Sequence, residues 1–369
     1  MLNLPLFHLI TRTFDYADST LVKELMHGMP IAGPIANTGV LVDRVRPAQT
    51  EFQDWKKTVP KRNTVNVDVI MKEQGSELSL ECWRKTLEEV AAGWVSTPTP
   101  ITEEDMATLP LTPRFARRER IGTDQEKTRL IDDFRASGVN ETVSTTETDV
   151  PDTIDAALAL ATLYERLQKG LELNSFAVDF THAYKNIPIP RDQSGIATII
   201  LAPPNGPPMK ASLRTQPFGA RRAPANWARI TAFLRWALAR LFNINLMVYV
   251  DDCFTVETRI WNIYNTGLIL LSFFAGATVY YIRTIFSLPV STVGSAFRVV
   301  REFFALLGLE LEELKEKRPT SNIELLGARI CFPKGKFPLP SPIRRHRPMR
   351  MSSDPSYLKG RSARLRPRK

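Results

Sequence analysis

Two apolar, β-rich runs of this 369-residue chain end in aspartate. SFAVDF (175–180) delivers Asp179, and INLMVYV (244–250) runs into Asp251 and Asp252 before CFTVE (253–257). A carboxylate at the end of a buried strand is costly unless a partner offsets its charge. The second and third runs, joined at the Asp251 and Asp252 pair, have the pattern of a β-hairpin with an acidic tip. Clustered hard oxygen ligands favour Mg²⁺, which binds through one or two carboxylates and completes its shell with water and substrate phosphates. Two such ions, about 3.5 to 4 Å apart, could activate an attacking hydroxyl and stabilise the leaving oxygen of an in-line phosphoryl displacement. A solvated acidic turn is the alternative for the hairpin taken alone.

The rest of the composition narrows the class. With 43% hydrophobic and 24% charged residues the chain has the balance of a globular protein. Cys82, Cys253 and Cys331 lie far apart, with no CxxC and only four histidines, so neither a zinc cluster nor a disulfide framework is expected. That usage points to a reducing, intracellular compartment, nucleus or cytoplasm. The start, MLNLPLFHLI, lacks a basic region and a small-residue cleavage site and does not read as a signal peptide.

Along the chain, residues 15–30 and 77–94 read as helices. In the second, Ser79 is the expected cap of a stripe formed by Leu80, Trp83, Leu87, Val90 and Trp94. The proline- and threonine-rich stretch 95–113 reads as a connection. A charged segment with a short strand around Leu130 and Ile131 follows, then a helix capped by Asp152 and stopping at Gly170. Residues 223–242 read as a long helix with Trp227, Ile230, Leu234, Leu238 and Leu241 inward. Strands and helices in this irregular order indicate an α+β sheet rather than a doubly wound one. From Lys334 to Lys369 twelve basic side chains face one acid, a balance of +11 that leaves the preceding chain at −1 of the total +10. This proline-rich tail is either a solubilising end or a sequence-independent phosphate contact.

Six segments in order carry a family likeness. FARRER and RLIDDFR, AVDFTHAYKNIPI, QPFGARRAPANW, VYVDD, LLGLELEELKEK and IELLGARI resemble, in sequence and spacing, the motifs of reverse transcriptases over roughly 115–332. The resemblance implies the fingers and palm of a right-hand polymerase, with an antiparallel ferredoxin-like palm sheet packed on helices. It implies four regions: an N-terminal helical extension (1–95), fingers and linker (96–174), palm (175–333) and a basic disordered tail (334–369).

The implied roles follow the motifs. Asp179 and Asp251 would bridge two Mg²⁺ ions, or Mn²⁺ in their place, with the carbonyl of Phe180 as a further ligand and Asp252 more peripheral. Arg129, with Arg118 or Arg120, would bind the triphosphate; arginine can chelate phosphate oxygens bidentately. Tyr184 would lie against the sugar and exclude a 2′-hydroxyl, favouring dNTP over rNTP. Phe218 and Gly219 would sit under the nucleotide, the glycine allowing close backbone approach. Tyr249 would lie by the primer terminus and Leu326 and Gly327 in the primer grip. Lys315, or alternatively Lys317, would protonate the pyrophosphate leaving group. The partners implied are an RNA or DNA template with its primer, and dNTP.

Two features depart from the family. The connection between the acidic hairpin and SAFRVVREFFALLG is nearly forty residues long, and Ile260 to Ile282 carries no charged side chain. A membrane span there has the length but would put the hairpin and its supporting helix on opposite sides of the bilayer, so no membrane partner is expected. Removing about 258–294 restores the family spacing, as expected of an insertion or a translated intervening sequence. Beyond the primer-grip segment no helical thumb and no ribonuclease H carboxylate set is legible. A catalytically impaired remnant that still binds nucleic acid is the competing expectation.

Overall fold

The computed structural model describes residues 2–121, 126–167, 170, 172–258 and 296–332. All of them lie within one compact unit, Met1–Gly335. The fold is α+β, with eight helices and four sheets among the described residues. The apolar insertion expected at 258–294 falls, past Thr258, outside the described residues, as does the basic tail from Lys334. Among the described residues no helix is long and apolar enough to cross a membrane.

The N-terminal third supplies helices α1 (Leu4–Thr13), α2 (Leu21–His27), α3 (Phe52–Lys72) and α4 (Glu77–Ala91), and the short strands β1 (Pro34–Ile35) and β2 (Val42–Arg46). The helix expected over 15–30 is therefore only the seven residues of α2. In α4 the cap is Ser76, whose side chain accepts from the Ser79 N–H, rather than Ser79 itself. The buried residues of α4 are Cys82 and Thr86, while Leu80 and Leu87 are each 43% exposed. The expected stripe is thus rotated, because the helix packs on a polar partner. The 95–113 stretch holds β3 (Thr99–Pro100) and α5 (Glu103–Thr108), the latter started by a reciprocal capping box between Thr102 and Asp105.

A five-stranded sheet, in the order β3-β9-β8-β4-β5, joins β8 (Thr198–Leu201) and β9 (Met209–Ser212) to the ribbon of β4 (Thr112–Glu119) and β5 (Lys127–Asp132). Strand β6 (Ser144–Thr148) lies between β1 and β2 in a three-stranded sheet. Helix α6 (Ile154–Leu167) follows. Asp152 does not cap it: its carboxylate accepts the Val248 N–H at 2.9 Å and pairs with Arg235 at 3.1 Å.

The central sheet has the order β10-β11-β7-β12, every neighbour antiparallel. Its strands are β7 (Leu173–Asp179), β10 (Met247–Tyr249), β11 (Asp252–Thr258) and β12 (Lys317–Thr320). Helix α7 (Ala223–Phe242) lies in sequence between β7 and β10, and α8 (Ala296–Leu306) between β11 and β12. The connection is a β-α-β-β-α-β order, with β8 and β9 intervening. Phe180 packs edge-on to Trp227 of α7 and against Phe304 of α8, and Phe176 meets Phe297 of α8. Phe176 in β7 and Phe180 just beyond it thus face the helices, four residues apart on one side of the strand line. A last hairpin pairs β13 (Asn322–Leu325) with β14 (Ala328–Cys331).

Helix α7 is buried on several sides, including all five apolar positions expected to face inward. Phe7 of α1 stacks on Phe233 at 4.7 Å, and Tyr16 meets Phe233 and Trp236. Arg229, 1% exposed, is held by both oxygens of Asp18 at 2.8 and 3.1 Å and by Glu24 at 2.6 Å. A buried guanidinium is tolerated only with such pairing. Residues 1–95 therefore share one core with α7 and the central sheet rather than forming a separate body.

Candidate active site

The pairing of β7 with β11 sets Asp252 directly opposite Asp179. Opposite residues of antiparallel strands share a face, so the two carboxylates stand on the same side of the sheet. Asp251 lies one residue away in the two-residue turn Val250–Asp251 between β10 and β11. Val250 adopts φ 60°, a left-handed conformation that a β-branched residue rarely takes and that costs about 1 to 3 kcal/mol. Trp227 of α7 pins this turn, its indole N–H donating to the Val250 carbonyl at 2.9 Å. The turn of the acidic hairpin is therefore fastened to α7, with Asp251 and Asp252 both exposed at its tip.

The charges of the tip act on one another. The Asp251 carboxyl is raised above its ordinary range, first by partial desolvation, although it reaches solvent, and then by Asp179. Asp252 is raised by desolvation, then by Asp251 and Asp179. Asp179 is only 6% exposed, and one of its oxygens, Oδ1, is buried with no hydrogen-bond partner. Its other oxygen accepts from the Lys315 ammonium, whose pKa is raised chiefly by that bond. The alternative, Lys317, is engaged elsewhere, donating to the Glu324 carbonyl at 2.6 Å. Among the described residues no group of three or more His, Cys, Asp or Glu side chains forms a preassembled metal site. The donors nevertheless suit a hard divalent cation: they are carboxylates that repel one another, with one unsatisfied buried oxygen.

A second cluster borders the first. Tyr184 is 8% exposed and its ring lies 5.0 Å from that of Phe218. The Arg129 guanidinium lies 5.9 Å from the Phe218 ring centre. The Tyr184 hydroxyl is pushed up to about 12, by burial first and then by Asp251, which places it within the field of the acidic tip. Arg129 is also ion-paired with Glu119 at 2.7 Å.

The ribbon divides the arginines. In its register Arg117 opposes Arg129 and Glu119 opposes Lys127, whereas Arg118 opposes Thr128 on the other face. Arg118 accordingly turns to α4 and pairs with the exposed Glu77, away from Arg129. Lys127 joins Arg129 instead. Its pKa is lowered by desolvation and then by Arg129, with Glu119 opposing the shift and Arg120 and Lys315 adding to it more weakly, so four cations and one carboxylate share one field. The sequence reading missed Lys127; its signal was the strand alternation that puts it two residues from Arg129 on the same face.

Gly219 has φ 109°, and a Cβ there would stand 2.0 Å from the Asp132 carbonyl oxygen. The close approach expected of this glycine is thus to the backbone of β5. Asn140 fastens the same turn, donating to the Gly219 carbonyl at 2.9 Å and accepting from the Arg221 N–H at 2.7 Å. Tyr249 opposes Asp252 and is 43% exposed. Leu326 and Gly327, with φ 48° and 76°, form the two-residue turn of the β13–β14 hairpin. No protein-family model matches the chain, and no curated protein sequence matches it.

Proposed function

We propose that this chain is a reverse transcriptase, an RNA-directed DNA polymerase that adds dNTP to a primer 3′-hydroxyl on an RNA or DNA template. The β4–β5 ribbon would be its fingers and the β-α-β-β-α-β unit its ferredoxin-like palm. One observation carries the reading: the pairing of β7 with β11 and the turn that precedes β11 bring Asp179, Asp251 and Asp252 to one end of the two inner strands of the central sheet, with a buried Asp179 oxygen left unsatisfied. Bound through Asp179, Asp251 and the Phe180 carbonyl, two Mg²⁺ ions would supply charge neutralisation to the attacking hydroxyl and the leaving pyrophosphate.

The chain's own groups would do the rest by positioning and electrostatics. Arg129, Arg120 and Lys127 would receive the triphosphate, a role suited to a cluster of cations opposite carboxylates. The Tyr184 ring, fixed against Phe218, would fill the space a 2′-hydroxyl needs. Lys315, kept protonated at Nζ by its carboxylate neighbour, would give its proton to the departing pyrophosphate. Primer extension on a poly(rA)/oligo(dT) hybrid with Mg²⁺ tests the reading. Extension by the wild type and its loss in Asp251→Asn, with unchanged thermal unfolding, is the expected pair of results; extension by the variant overturns the site.

The ammonium of Lys315 on Asp179 favours a second reading, a nucleic-acid-binding remnant in which lysine takes over the neutralising role. Titration separates the two. Binding to primer–template that is indifferent to Mg²⁺, with no extension, is the signature of the remnant.

A further inference from the structure

A chain of buried charges runs beneath the proposed nucleotide site and begins outside the segments that resemble a polymerase. Glu89, near the end of α4, places one carboxylate oxygen 2.7 Å from the Lys185 ammonium and the other 2.6 Å from the Arg114 guanidinium. Arg114, 2% exposed, holds Asp132 with two nearly parallel bonds of 2.6 and 3.0 Å. The four residues come from four places: the loop after β7, helix α4, β4 and β5. Glu89 is held below the usual carboxylate range by its two cations, against burial.

Both ends of this chain touch groups placed in the nucleotide pocket. Lys185 follows Tyr184 directly and lies 5.6 Å from the Trp94 ring centre, while Trp94 also packs on His182 at 4.8 Å. At the other end, the Asp132 N–H donates to the Phe218 carbonyl at 3.3 Å, and Gly219 can approach the Asp132 carbonyl only because it lacks a Cβ. The relay thus ties the segment carrying Tyr184 to the segment carrying Phe218, and the two rings meet 5.0 Å apart. A short buried ion pair has steep geometric preferences, so it fixes distance where apolar packing would allow sliding.

We propose that Glu89 is a positioning residue that sets the separation of Tyr184 and Phe218 and thereby the fit of the incoming nucleotide's sugar. This rests on the polymerase reading above. Glu89 touches neither substrate nor the catalytic carboxylates, so its removal should loosen nucleotide binding and leave the chemical step in place.

The test is single-nucleotide insertion by the full chain with dNTP and rNTP, comparing wild type, Glu89→Gln and the doubly neutral Glu89→Gln/Lys185→Met, each with thermal unfolding. Glu89→Gln should raise KM for dNTP about tenfold, with kcat within about threefold, and narrow the preference for dNTP over rNTP by a similar factor. The double variant removes both charges of the outer pair, so it should fold even where the single variant does not, and it should show the same loss of sugar selection. Wild-type insertion with unchanged KM and sugar preference in whichever variant folds, whatever its stability, overturns the role of Glu89 alone. Absence of wild-type insertion overturns the polymerase reading and this inference with it.

Discussion

Glu257 offers a test of the fold that does not depend on activity. It is the penultimate residue of β11, 5% exposed, and its carboxylate accepts the N–H of Ala296, the first residue of α8, at 2.7 Å. A helix N-terminus favours an anion. Burial nevertheless outweighs the two backbone N–H groups, of Ala296 and Phe297, and the carboxyl is pushed up to about 7 from an ordinary 4.5. Because the folded pKa lies above the unfolded one, the native state binds the extra proton. The contribution is complete below about pH 4.5 and is lost as pH rises through about 7. At 1.36 kcal/mol per unit the full loss is about 3 kcal/mol, of which roughly 2 to 3 falls between pH 5 and pH 8.

Glu257→Gln keeps an oxygen for the Ala296 N–H and removes the charge. Urea unfolding of both proteins at pH 5 and pH 8 isolates the group, because every other titration cancels in the difference. The variant should gain roughly 2 to 3 kcal/mol on the wild type between those pH values. A difference that stays flat, or moves the other way, would mean that the helix terminus keeps Glu257 ionised and would refute the reasoning.

Three further perturbations address the site and its surroundings. Gly219→Ala forces a Cβ into the Asp132 carbonyl at a φ that side chains avoid, and should cost upward of about 2 kcal/mol in urea unfolding; an unchanged midpoint would show that the turn can retreat. Tyr184→Val should admit rNTP in primer extension, and undiminished discrimination would remove its role at the sugar. Deleting 259–294 joins Thr258 to Ser295, and three Cα steps then span up to about 10 Å between Glu257 and Ala296, groups already joined by one hydrogen bond. The shortened chain should unfold cooperatively, as seen by circular dichroism, and loss of that transition would show the segment to be part of the core.

The parts of the molecule legible in the sequence are those governed by one periodicity. The apolar positions of α7 repeat at 3.6 residues and all five expected to face inward are buried, and β7, an apolar run, is a strand buried at most of its positions. The hairpin between β10 and β11 was marked by its acidic tip. Helix α4 was legible as a helix but misread in its facing, because its buried side meets Arg114 through Cys82, Thr86 and Glu89, residues that a hydrophobic stripe does not select. The facing of Arg118 was not legible for a related reason: composition marks a basic ribbon, whereas only register decides which arginines share a face. The charge relay was invisible because its members stand at positions 89, 114, 132 and 185, and ion pairs between distant segments leave no local pattern. The same holds at the carboxylates, where the motifs point to Lys315 but no local pattern shows that it meets Asp179, 136 residues away. Local patterns place the groups that demand compensation; what compensates them is settled only by tertiary contact, and it is there that variants such as Glu89→Gln are most informative.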